Sequence, residues 1–315
     1  MNKRRSFITG IKGTKLTKDE IKFLKKYKPW GVILFSRNLN NIDQIKNLTK
    51  KIKKIFNDRN YPIMIDQEGG RINRLDKFIS LENLTSEYFG EIYKKNKKEF
   101  NIIYKLFIDR ISNLLNDLGI NINTVPVLDL RYKGSSNIIG NRAFSSDPKV
   151  VSKIGDLCIK YFKTNSIATV IKHIPGHGLA KVDSHHFTPI INKDFNYLKK
   201  KDFKKFKSKN SLFAMTAHVV FKKIDPNNTV THSKKMIEII RNKIKFKNLI
   251  ISDDLSMKSL KFSIIENTKK AFSAGCNLAL HCNGNLREMT FVAENSPKVS
   301  SFVLKKTSEF YKNIR

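Results

Sequence analysis

The chain has 315 residues, 40 % of them hydrophobic; this suffices for one large α/β barrel or two ordinary domains and excludes a disordered chain. Its 61 Lys+Arg against 27 Asp+Glu give a net charge of +34. The lysines are spread over many segments, with no aromatic-interleaved basic motif, zinc finger or basic heptad helix, so a lysine-rich composition explains the charge better than a nucleic-acid surface. From the N-terminus, Met1 to Ser6 is basic like the start of a signal peptide, but Lys12, Lys15 and Lys18 interrupt any apolar run. No segment approaches a membrane span. Cys158, Cys276 and Cys282 show no metal-binding or disulfide spacing and fit a reducing compartment. A soluble, cytoplasmic protein is expected.

Short apolar runs follow one another along the chain: Gly31–Phe35, Pro62–Asp66, Thr124–Asp129, Ala168–Lys172, Leu212–Thr216, Leu249–Asp253 and Leu278–His281. They are near-continuously apolar, as strands covered on both faces are. Between them lie stretches of helical period, such as Ile42, Ile45, Leu48, Ile52 and Ile55. Strand–helix alternation at this scale predicts a parallel sheet, and the number of units fits a single-domain (β/α)8 barrel over residues 1–315. Phe7–Gly10 is the candidate for the eighth strand.

Asp66, Asp129, Lys172, His218 and Asp253 each sit at the C-terminal end of an apolar run, the rim where a barrel gathers its chemistry. The loop Asp66-Gln67-Glu68-Gly69-Gly70-Arg71-Ile72-Asn73-Arg74 combines carboxylates that can accept sugar hydroxyls with arginines that can donate to them. Ser252-Asp253-Asp254-Leu255 offers two adjacent carboxylates; Asp253 continues the strand and is the chemical candidate, Asp254 the helix-capping one. Lys172-His173-Ile174-Pro175-Gly176-His177-Gly178 leads into Val182-Asp183-Ser184-His185. Pro175 and Gly176 prevent a helix from presenting His173 and His177 as a metal pair, so no metal is expected. No P-loop or dinucleotide fingerprint follows a strand, so no cofactor is expected. Asp183 and His185, two apart in a bendable loop, can form an acid/base pair or simply a solvated one.

Taken in order, these motifs, with Pro126-Val127-Leu128-Asp129 and Ile139-Gly140-Asn141-Arg142-Ala143-Phe144, resemble the bacterial β-N-acetylhexosaminidases of glycoside hydrolase family 3. The resemblance runs from Gly31 to Gly284 and implies a (β/α)8 barrel acting on terminal β-linked N-acetylglucosamine, typically on a 1,6-anhydro-N-acetylmuramoyl unit from peptidoglycan turnover. By motif, Asp253 is similar to the nucleophile and His185 to the general acid/base, with Asp183 as its partner. Asp66, Arg74, Arg142, Lys172 and His173 are similar to sugar-binding positions. The chain departs at Leu179-Ala180-Lys181-Val182, where many relatives have Asp-Thr, and at Asn277, where an acidic residue is common.

A retaining glycosidase usually uses two carboxyl groups. Here an imidazolium would protonate the departing oxygen and the neutral imidazole would then activate the acceptor, tasks suited to a reference pKa near 6.5. A neutral base does not repel phosphate, so phosphorolysis stands beside hydrolysis. The expected partner is a small carbohydrate, with no specific nucleic acid and no membrane, and the expected state is a monomer. A basic nucleic-acid-binding protein and a barrel enzyme acting on phosphorylated sugars are the competing readings.

Overall fold

The structure, a computed structural model, describes residues 3–184 and 186–314. In chain order its strands are β1 (Arg5–Thr9), β2 (Pro29–Leu34), β3 (Ile63–Ile65), β4 (Ile122–Asn123), β5 (Ala168–Ile174), β6 (Ile190–Ile191), β7 (Phe213–Thr216), β8 (Val220–Phe221), β9 (Leu249–Asp254) and β10 (Leu278–His281). Eight of them close a barrel in the order β1-β10-β9-β7-β5-β4-β3-β2, every neighbouring pair being parallel. β6 and β8 form a separate parallel pair. The Phe7–Gly10 run is the missing strand: β1 pairs with both β2 and β10 and so seals the barrel.

Apolar burial is divided in two layers. Inside the barrel, Ile8, Ile33, Met64, Val170, Leu249 and Leu278 meet from different strands. A larger layer lies between strands and helices. The helix Ile42–Ile55 shows why: Asn41 caps it, and Ile45, Leu48 and Ile52 fall on its buried face. The helix Ser301–Asn313 closes the N-terminal end of the barrel. Its Phe310 packs against Trp30 and Phe213, and its Thr307 accepts the Trp30 indole N–H at 2.9 Å. With that end plugged by aromatics, the polar strand ends are gathered at the other. Among the described residues no helix is long and apolar enough to cross a membrane.

Three expectations need correction. The strand near Thr124 is only Ile122–Asn123, because Pro126 has no N–H to give to a ladder. The segment beyond it still runs beside β5, through Leu128 N–H to Lys172 O at 2.7 Å and Lys172 N–H to Pro126 O at 3.1 Å. β5 also continues past Lys172 to Ile174. Asp254 caps a turn, not a helix, accepting from the Ser256 N–H, and the next helix starts at Ile264.

Gly90 lies in the helix Ser86–Lys95, against the Phe144 carbonyl, where an added Cβ would collide with backbone. Phe144 closely follows Arg142. Gly90→Ala is therefore expected to lower stability by roughly 1–3 kcal/mol or more, read from the urea midpoint.

Candidate active site

The C-terminal mouth of the barrel holds a cavity of about 150 Å³. Asp66, Arg74, Arg142, Lys172, His173 and Asp253 all line it, so six of the eight residues singled out from the sequence converge there. Lys172 is the hub. Its Nζ lies 2.6 Å from Glu68 Oε1, 3.1 Å from Asp66 Oδ1 and 2.9 Å from Thr124 Oγ1. Thr124 also donates to Asp66. Arg74 approaches the other Asp66 oxygen at 3.5 Å. Arg142 grips Glu68 with two parallel bonds, Nε to Oε2 at 2.8 Å and Nη2 to Oε1 at 2.9 Å.

Burial alone would push these carboxyls up. For Asp66, Lys172 and Arg74 outweigh burial and hold it well below the usual carboxylate range. For Glu68, Arg142 and Lys172 do so, holding it at about 2. Both carboxylates are therefore ionised across the physiological range and act as acceptors only.

A second cluster is built on Asp129, which is wholly buried. One of its oxygens meets Nδ1 of His173 at 2.7 Å and the His173 N–H at 3.2 Å; the other accepts the His177 N–H at 2.6 Å. Asp129 thereby fixes the chain as it leaves β5 and turns the His173 ring toward the cavity. Gly178 packs against Leu130 so closely that a Cβ would strike the Leu130 carbonyl. Nε2 of His177 lies 3.1 Å from the Ser184 hydroxyl, while its Nδ1 is buried with no hydrogen-bond partner among the described residues. Burial and the neighbouring His173 push the His177 imidazole down to about 4, so it is neutral.

His177 and Ser184 both line the cavity, and their contact ties the loop after β5 to the barrel. Asp183 immediately precedes Ser184, and its carbonyl accepts from the N–H groups of His186 at 3.1 Å and Phe187 at 2.9 Å. His185, the expected acid/base, lies outside the described residues.

Asp253 comes from β9. Burial raises its pKa, but His218 and His173 lead the groups that lower it, and the net direction is down. The Asp254 N–H donates to its Oδ1 at 2.8 Å. Asp254 itself is engaged structurally: one oxygen accepts from Ser256 N–H and Cys282 N–H, each at 3.1 Å, and the other from Ser256 Oγ at 2.7 Å. Asp254 lines the cavity beside Asp253, but its oxygens are taken up by this turn and by the Cys282 N–H.

Glu68 was not singled out as a site residue, yet it holds two cations. A local signal existed, since residues two apart on an extended segment face the same side and Glu68 follows Asp66 by two. Thr124 carried no such signal, and His177, weighed only as a metal ligand, is instead a neutral group lining the cavity. Asn277 is explained away from the site: its Oδ1 accepts from Ile250 N–H at 2.9 Å and Arg241 Nη2 at 2.7 Å.

The sequence pattern of the family described as Glycosyl hydrolase family 3 N terminal domain matches residues 6–302. The chain belongs to glycosyl hydrolase family 3. It is a glycoside hydrolase. The β-hexosaminidase of Nitrosomonas eutropha is 34% identical over 281 residues, covering 87% of this chain and 79% of that protein. That of Hydrogenovibrio crunogenus is 34% identical over 258 residues, 80% of this chain and 71% of the relative. Among solved family 3 structures, NagZ from Neisseria gonorrhoeae in complex with N-trifluoroacetyl-D-glucosamine superposes with a TM-score of 0.83 at 27% identity, over 99% of this chain and 96% of that one. A family 3 β-N-acetylglucosaminidase from Paenibacillus gives a TM-score of 0.86 at 24% identity, a likeness of fold; this chain spans 60% of its length.

The ion network makes an acid-side prediction. A carboxyl depressed by folding stabilises the native state above its unfolded pKa, and that contribution is lost as pH falls through the folded value. Glu68 moves from 4.5 to about 2. His177 moves from 6.5 to about 4, so the unfolded chain takes up that proton first and the fold also weakens below about pH 6.5. Urea midpoints should therefore be highest between about pH 7 and about pH 8 and fall steadily toward about pH 3. Glu68→Gln should be less stable by roughly 3–5 kcal/mol at neutral pH and show a shallower fall below about pH 4.5.

Proposed function

We propose that this family 3 hydrolase is an exo-acting, retaining β-N-acetylglucosaminidase that removes terminal β-linked N-acetylglucosamine from peptidoglycan turnover fragments. The observation that carries the reading is Asp253. It is an ionised carboxylate at the end of β9, facing a cavity whose other charged groups are paired acceptors and donors of the kind that bind sugar hydroxyls. A cavity of about 150 Å³ is too small to enclose a length of sugar chain, which favours exo action. The names of the curated relatives and the glucosamine derivative bound to the Neisseria protein support the same substrate class.

In this reading Asp253 attacks the anomeric carbon, and the glycosidic oxygen leaves with a proton from His185. Water then attacks the glycosyl–Asp253 ester as the His185 imidazole takes its proton, releasing the sugar with its configuration retained. Asp183 orients the imidazole and favours its protonated form. Asp66, Arg74, Arg142, Lys172 and His173 bind the sugar. Residues 1–315 act as one catalytic domain, and a monomer is sufficient because one chain supplies the cavity. A cytoplasmic location belongs to the same proposal, supported by three free cysteines.

Two expectations test the roles. Asp253→Ala should lower kcat on a nitrophenyl N-acetylglucosaminide by at least about a thousandfold while the protein stays folded; activity near wild type would remove Asp253 from the mechanism. His185→Ala should slow a natural disaccharide far more than the nitrophenyl substrate, because nitrophenolate departs without a proton and a sugar alkoxide does not. Asp183→Asn should show the same pattern more weakly. Equal losses of kcat/KM on both substrates would make His185 a binding residue instead.

A further inference from the structure

The peptide groups on both sides of the Asp253–Asp254 pair are held from outside β9. The Asp253 N–H donates to the Thr216 hydroxyl at 3.3 Å. On the far side, the Asp254 carbonyl lies 2.9 Å from Nε2 of His218. The two holders meet at Thr231, in the short turn Val230–His232. Its Oγ1 is 2.7 Å from Thr216 Oγ1 and 2.7 Å from His218 Nδ1. Thr216, His218 and Thr231 are all completely buried, and none of them lines the cavity.

The directions of these bonds follow from chemistry. A carbonyl only accepts, so His218 Nε2 carries the hydrogen. Burial lowers the pKa of this imidazole and outweighs Asp253 and the Asp254 carbonyl, which raise it. The ring is therefore neutral and Nδ1 is a bare acceptor, which takes the Thr231 hydroxyl hydrogen. The Thr231 oxygen then accepts from the Thr216 hydroxyl, and the Thr216 oxygen accepts from the Asp253 N–H. One chain of donors runs from Asp253 N–H through Thr216, Thr231 and His218 to the Asp254 carbonyl. Each hydroxyl gives once and receives once, and both imidazole nitrogens are used.

We infer that Thr216, Thr231 and His218 act as one unit of positioning residues that fixes the backbone of Asp253 and so aims its carboxylate. The inference rests on the reading of Asp253 as nucleophile. Because the unit touches no part of the cavity, its loss should leave sugar binding intact and lower the chemical step. A misplacement of about 1 Å is enough to lower a rate by about a hundredfold.

Thr231→Val keeps the shape and removes the hydroxyl; Thr231→Ser keeps the hydroxyl. On the nitrophenyl substrate, Thr231→Val should lose about thirtyfold or more in kcat, with KM and the Kd for N-acetylglucosamine within about threefold of wild type. Thr231→Ser should stay within about threefold of wild-type kcat. Thr216→Val, which cuts the chain at its other end, should match Thr231→Val, and the double variant should be no worse than the worse single one, as expected of a shared unit. If Thr231→Val does not fold, Thr216→Val carries the same expectation. A kcat for the valine variants near wild type, losses that multiply in the double variant, or a Kd that weakens in step with kcat would each overturn the inference. A wild-type protein that does not turn over the substrate would instead sink the glycosidase reading.

Discussion

The site depends on the neutralisation of one buried ammonium. The Lys172 side chain is only 3% exposed, on a strand inside a closed barrel. An unpaired cation there would cost several kcal/mol or more, so it must be surrounded by partners. Asp66 and Glu68 supply them from the end of β3, and Thr124 supplies a third contact from beyond β4. Two carboxylates against one ammonium leave negative charge in excess, and Arg142 and Arg74 compensate it. The Arg142 fork on Glu68 in turn fixes the segment that carries it. The loops after β3 and β4 are thus tied to β5, chiefly by charge pairing, and the charged groups that pair are the same ones that face the cavity.

Asp129 does for the exit of β5 what Lys172 does for its middle. It accepts from the His173 N–H, the His173 ring and the His177 N–H. Burial would raise its pKa, but His173 and Lys205 are among the groups that keep it ionised. The chain after β5 therefore leaves the barrel on a fixed path, and the His177–Ser184 contact fixes its return. Of this loop, His177 and Ser184 reach the cavity, and Asp183 immediately precedes Ser184. In the proposed mechanism the nucleophile, Asp253, is carried by a strand of the closed barrel.

The fold was legible because its signal is local. Continuous apolar runs and helices of threes and fours require no knowledge of distant partners, and they located the barrel strands, including β1. The same local signal misleads at Thr124–Asp129, where an apolar run reads as a strand although Pro126 lacks the N–H that a ladder needs. The lining residues were legible as strand-end polar groups and as family motifs. What joins them was not. Glu68 and Arg142 are far apart in the chain, as are Asp129 and His173, and no periodicity connects them. Thr231, in a short turn with no motif, gave no sign that it would bridge Thr216 and His218. At the aspartate pair the sequence showed that one residue would be held locally, but not that Asp254 would end β9 and hold a turn instead of a helix.

The most direct measurement of the central claim is mass spectrometry of wild-type protein quenched during turnover of a nitrophenyl N-acetylglucosaminide. The good leaving group speeds the first step and lets the ester intermediate accumulate. The account expects one N-acetylglucosaminyl group on the peptide containing Asp253, and the β anomer of N-acetylglucosamine as the first product. An adduct on another residue, or the α anomer released first, would contradict it.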